Sequence, residues 1–68
     1  MSTSSVTVTG MTCDHCVSSV TEEISAIAGV TAVNVDLATG KVVIESITDL
    51  DPGAVADAVE EAGYSVAG

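Results

Sequence analysis

Cys13 and Cys16 are the only cysteines in the chain, and they stand three apart in the stretch GMTCDHC, residues 10–16. Four chemistries use such a pair: a disulfide, a dithiol redox couple, half of a zinc site, or a whole site for a softer metal. A disulfide across three residues closes a very short loop and takes little entropy from the unfolded chain, so it makes a poor structural staple. Two cysteines also fall short of the dense bridging of small secreted domains. Two buried, inert thiols fit poorly on a polar loop that follows a glycine.

The pair sits where a strand is expected to hand over to a helix. Free backbone N–H groups and the positive end of the helix dipole favour thiolate over thiol there. Thiolate is the form that binds metal, and two thiolates make a soft site that selects Cu(I), or zinc and related ions. Zinc ordinarily takes four ligands in a tetrahedron. Beyond the two sulfurs the loop supplies only the imidazole of His15 and the carboxylate of Asp14, and there is no second CxxC. Cu(I) is satisfied by the sulfur pair alone and stays open to attack by a thiolate from another molecule, a geometry suited to carrying and passing metal.

Hydrophobic periodicity lays out the elements that must hold this loop. Residues 1–4 are expected to fray, and SVTVTG then alternates, with Val6 and Val8 on one face of a strand. After the loop, Val17, Val20, Thr21, Ile24, Ile27 and Ala28 form one helical stripe, ended by Gly29 as a C′ residue. VTAVNVDL, a turn at Ala38-Thr39-Gly40 and KVVIES read as a hairpin, with Val33, Val35, Leu37, Val42 and Ile44 facing inward. Asp51-Pro52 reads as an N-cap and first helical residue, before a second stripe of Val55, Ala58, Val59 and Ala62 that stops at Gly63. Tyr64, Ser65 and Val66 are left for a short closing edge strand. The order β-α-β-β-α-β implies an α+β, ferredoxin-like sandwich, a four-stranded antiparallel sheet with two helices on one face.

Sixty-eight residues suffice for one small domain. Ten acids against one base, Lys41, give a net charge of -9, which argues against nucleic acid or an anionic membrane as partner. The acids either keep a valine-rich domain soluble or steer a basic partner toward it. The N-terminus shows no basic, apolar leader, and no apolar run approaches the length of a membrane span. A cytoplasmic location, where thiols stay reduced, is therefore expected.

GMTCDHC resembles the GMxCxxC loop of the heavy-metal-associated domain family, and the resemblance runs over nearly the whole chain as one domain, residues 1–68. It implies the same βαββαβ sandwich, Cu(I) held by Cys13 and Cys16, and no enzymatic activity. Family members are free copper chaperones or metal-binding domains of copper-transporting P-type ATPases. His15 completes the CxHC version typical of bacterial chaperones, and Tyr64 matches the aromatic position beside their metal loop. The implied function is a cytosolic copper chaperone that passes Cu(I) by ligand exchange to such an ATPase, monomeric without metal. Two loops together offer four sulfurs, which allows a metal-bridged homodimer. Thr12 stands before the first cysteine as in copper members, whereas zinc and cadmium members often carry Asp there.

Met11 is expected to pack under the loop. His15 is expected to point outward, toward partner contacts, and Asp14 to face solvent and complement the helix N-terminus. Tyr64 is expected half-buried at an edge, against the metal loop. Three other readings compete: a thioredoxin-like dithiol redox protein, a domain excised from a metal-transporting ATPase, and a mercury-binding relative. The first needs a longer chain and a proline loop facing the cysteines, while the one proline, Pro52, sits at a helix start. The last usually carries an export signal, which this sequence lacks.

Overall fold

A computed structural model describes residues 1–67. Its elements are β1 (Ser2–Thr9), α1 (Asp14–Ser25), β2 (Val30–Asp36), β3 (Lys41–Ser46), α2 (Pro52–Glu61) and β4 (Ser65–Val66). The sheet runs β2-β3-β1-β4 with every neighbouring pair antiparallel, the expected ferredoxin-like order. Val8, Val42 and Ile44 from the sheet meet Val20 and Ile24 of α1 and Val55, Ala58 and Val59 of α2 in one buried cluster. Ile24 and Ile44 are completely buried, each burial favouring the fold by about 1.5–3 kcal/mol.

The first strand starts earlier than its alternation alone suggests. Residues 2–4, expected to fray, pair with Ser46, Glu45 and Ile44, because β3 is long enough to give their backbone groups partners. The Ser2 hydroxyl also donates to the Asp49 carboxylate. Helix α1, by contrast, stops a turn short of the expected glycine. Its C-cap is Ala26, and the chain then tightens through Ile27 N–H to Ile24 O at 3.0 Å and Val30 N–H to Ile27 O at 3.2 Å. Ile27 therefore packs on the core from a turn, and Ala28 is exposed.

Strand β2 carries a bulge, since Val30 pairs with Ser46 and Ala32 with the adjacent Glu45. The extra residue, Thr31, reverses the parity of the strand. Val30 and Val33 thus both reach the core, as does Val35. Leu37 leaves the strand and is 36% exposed instead of facing inward. Strand β3 buries Val42 and Ile44 as expected and also Ser46, whose hydroxyl donates to Thr48 O at 2.6 Å. At the start of α2 the Asp51 carboxylate accepts from Gly53 N–H at 2.9 Å, the N-cap that the sequence called for.

Candidate metal centre

The loop of residues 10–13 joins β1 to α1. Cys13 is the N-cap of α1, with an extended backbone (φ -160°, ψ 174°) and a side chain that makes no capping bond. Its carbonyl accepts from Cys16 N–H at 3.0 Å and Val17 N–H at 3.3 Å. The first helical turn places residues three apart on one side, and the two sulfurs stand 3.6 Å apart. They are not equivalent. Cys13 is exposed, whereas Cys16 is 9% exposed and shares the buried face of α1 with Val20 and Ile24.

Tyr64 arrives from the far end of the chain. Gly63 adopts φ +95°, its N–H bonds Glu60 O at 2.9 Å, and Tyr64 N–H bonds Val59 O at 3.1 Å. This left-handed cap ends α2 and turns the next side chain back toward the first strand. The Tyr64 ring is half-buried and lies so close to Gly10 that a methyl group there would stand 3.3 Å from Cδ1. Tyr64, expected within the closing strand, stands just before β4, which starts at Ser65, while its half-burial and its place beside the loop are as expected.

These neighbours set the state of Cys16. The Thr12 backbone amide, first, and the Tyr64 hydroxyl, second, donate to its sulfur and lower its pKa from 9.0 to about 6. The Cys13 side chain and amide act the same way, and burial opposes them. Tyr64 is raised in return, chiefly because its proton is held by Cys16. The Thr12 hydroxyl lies 3.8 Å from the same sulfur. Nothing in the residue pattern signals this role for Thr12, because the donor is a backbone amide that every residue but proline possesses.

A pH dependence follows. Folded Cys16 loses its proton near pH 6 and the unfolded thiol near 9.0, so between these values the unfolded chain binds more protons. Stability of the reduced, metal-free protein should rise across that window. The contribution is complete above about pH 9 and lost as pH falls through about 6. In Tyr64→Phe the thiolate absorbance of Cys16 should titrate at higher pH and the stability slope should flatten. An unchanged titration would mean that the hydroxyl contributes nothing.

The remaining loop residues add no third donor. Asp14 and His15 are exposed in the first turn of α1, and Met11 packs against the core. Among the described residues, no group of three or more His, Cys, Asp and Glu side chains is arranged to hold one ion. The acid pairs Glu22-Glu23 and Glu60-Glu61 lie on exposed helix surface. No helix among the described residues is long and apolar enough to cross a membrane.

A ferredoxin-like sandwich with a paired-thiol loop at the start of its first helix defines a class of heavy-metal-binding domains. The chain belongs to the heavy-metal-associated domain family, whose profile matches residues 5–65. It is similar to the copper chaperone CopZ of Bacillus subtilis strain 168, with 43% identity over 61 residues and 88% of each chain covered. Copper-transporting ATPase 2 of Rhizobium meliloti strain 1021 is also 43% identical, over 56 residues, which are 82% of this chain and 7% of that protein. Among solved structures, a CopZ metallochaperone superposes with a TM-score of 0.90 at 34% identity, covering 97% of this chain and 100% of that one. The family is one of metal-binding domains rather than enzymes, and the thioredoxin-type reading falls with that assignment.

Proposed function

We propose that this protein is a cytoplasmic copper chaperone that binds Cu(I) through Cys13 and Cys16. It passes the ion by thiolate exchange to the metal-binding domain of a copper-transporting P-type ATPase. The observation that carries this reading is the sulfur pair at 3.6 Å with one member exposed and the other buried. Two thiolates satisfy Cu(I) but leave zinc short of its four ligands. An incoming thiolate reaches the ion from the exposed side of Cys13. It forms one new metal–sulfur bond, after which one of the original two breaks, so the copper is never free and its oxidation state does not change. Once Cys16 releases the ion, its negative charge is received by the Thr12 amide and the Tyr64 hydroxyl, which already donate to that sulfur.

The test is to load anaerobically purified protein with Cu(I), count the metal, measure its sulfur coordination by X-ray absorption and compete it with a Cu(I) chelator. One ion per chain, held by sulfur alone, is expected. Four donors from a single chain, or no copper bound under reducing conditions, would overturn the reading. A second reading, the metal-binding domain of an ATPase itself, is favoured by the equal identity to the Rhizobium meliloti protein. The direction of transfer separates the two, since a chaperone gives copper to such a domain and the domain receives it.

A further inference from the structure

Gly10 and Tyr64 lie just outside the strands, yet they face each other across the sheet. Strands β1 and β4 pair antiparallel, Val8 with Val66 and Thr9 with Ser65, so the next step of the register sets Gly10 opposite Tyr64. The match is held from both sides. The Thr9 hydroxyl donates to Ser65 O at 3.3 Å and Ala67 N–H to Thr7 O at 2.7 Å, while Tyr64 N–H is tied to Val59 O at 3.1 Å. In such a cross-strand pair the aromatic ring covers backbone that a side chain would otherwise cover.

The closeness of this pair calls for glycine twice over. Gly10 has φ +92°, a conformation that residues with a side chain rarely adopt. A methyl group there would stand 3.3 Å from Tyr64 Cδ1 and 4.0 Å from Cε1, and apart from its chain neighbours it would meet nothing but that ring. The Tyr64 backbone is fixed by its hydrogen bond to α2 and by the strand that follows, so the ring is what must move. The same ring carries the hydroxyl that donates to Cys16, the buried member of the sulfur pair, whereas Cys13 is exposed. The pair is therefore walled on one side and open on the other.

We propose, resting on the copper-delivery reading, that Gly10 is a positioning residue for thiolate exchange. Its bare Cα seats the Tyr64 ring over the Cys16 side of the sulfur pair and leaves the Cys13 side as the way in. Gly10 touches neither the ion nor the incoming thiolate and acts only through the ring. With the ring displaced, a competing ligand reaches Cys16 as well as Cys13. The seat thus favours a partner that approaches from the Cys13 side over small thiols and chelators, which come from any direction.

The test is a double-variant cycle on the full chain with two readouts. In reduced, metal-free protein, alkylation of Cys16 by iodoacetamide is followed by mass spectrometry. In Cu(I)-loaded protein, the passage of copper to a chelator is timed. Gly10→Ala should speed the alkylation several-fold. Copper should reach the chelator roughly tenfold faster, the scale on which outer-shell partners act on metal affinity, carried here by the off-rate. Tyr64→Leu removes the ring without touching the loop and should do the same, and Gly10→Ala added to it should change neither rate further. Gly29→Ala controls for backbone strain: its φ is +93° and its methyl would stand 3.4 Å from Ile47 Cγ1. It lies beyond the other end of α1, whose twelve residues span about 18 Å, so both rates should stay at the wild-type value. Unchanged rates in Gly10→Ala or in Tyr64→Leu, a further rise in the double variant, or an equal rise in Gly29→Ala overturns the proposal. Alkylation that follows the expected pattern in a protein that binds no copper would instead sink the delivery reading and leave the seat standing.

Discussion

Replacing Gly40 with alanine should lower the melting temperature by roughly 10 °C or more. Gly40 ends the β2–β3 turn with φ +77°, a conformation that costs about 1–2 kcal/mol for a residue with a side chain. The added methyl would also stand 2.4 Å from the Val8 carbonyl oxygen. That oxygen belongs to the backbone of a central strand, so it cannot swing aside like the tip of a side chain. The neighbouring backbone is tied as well: Val8 N–H donates to Gly40 O at 2.8 Å and Gly40 N–H to Asp36 O at 2.7 Å. Relieving the clash therefore strains the hairpin and the β1–β3 pairing together, and a total of about 2–3 kcal/mol or more is expected. A domain of this size has on the order of 3–10 kcal/mol in all. Gly63→Ala is the control, since Gly63 has φ +95° but nothing within 4 Å of the added methyl. Thermal unfolding of both variants in reducing buffer should show the larger loss at Gly40; equal losses would mean that the Val8 contact is unimportant.

Cys13→Ala and Cys16→Ala should each abolish effective copper handling, with different consequences for the fold. A lone remaining thiolate cannot close the sulfur pair around the ion. Affinity should fall by well over about a hundredfold, beyond the loss seen when only an outer-shell partner of a metal ligand is removed. Cys13 is exposed and makes no capping bond, so its replacement should leave stability within about 0.5 kcal/mol. Cys16 is buried on the inner face of α1, and its loss should cost about 1 kcal/mol of packing. Copper competition and thermal unfolding on the same samples separate the two effects. If either variant still transfers copper at the wild-type rate, exchange through the sulfur pair is not the mechanism.

Most of the architecture was legible in the sequence because it is periodic. Alternation in SVTVTG and KVVIES, the stripe around Val20 and Ile24, and the cap at Asp51-Pro52 each report which side of one element meets the core. The misjudged places are those where a partner element decides. Residues 2–4 are ordered by β3, α1 stops at Ala26 before its glycine, the bulge at Thr31 lets Val30 join Val33 and Val35 on the inner face, and β2 ends before Leu37, leaving it outside.

At the candidate site the same division holds. The order of residues sets which atoms are present: two soft sulfurs at the start of a helix, with no further cysteine to complete a zinc tetrahedron. Folding alone makes the sulfurs unequal, Cys13 open to solvent and Cys16 turned inward. It also decided that Cys16 is held toward its thiolate form by the Thr12 amide and by Tyr64, forty-eight residues further along. The physical reason is that a local pattern records the face a residue presents. The stabilisation of a charge depends on donors that folding gathers from separate parts of the chain.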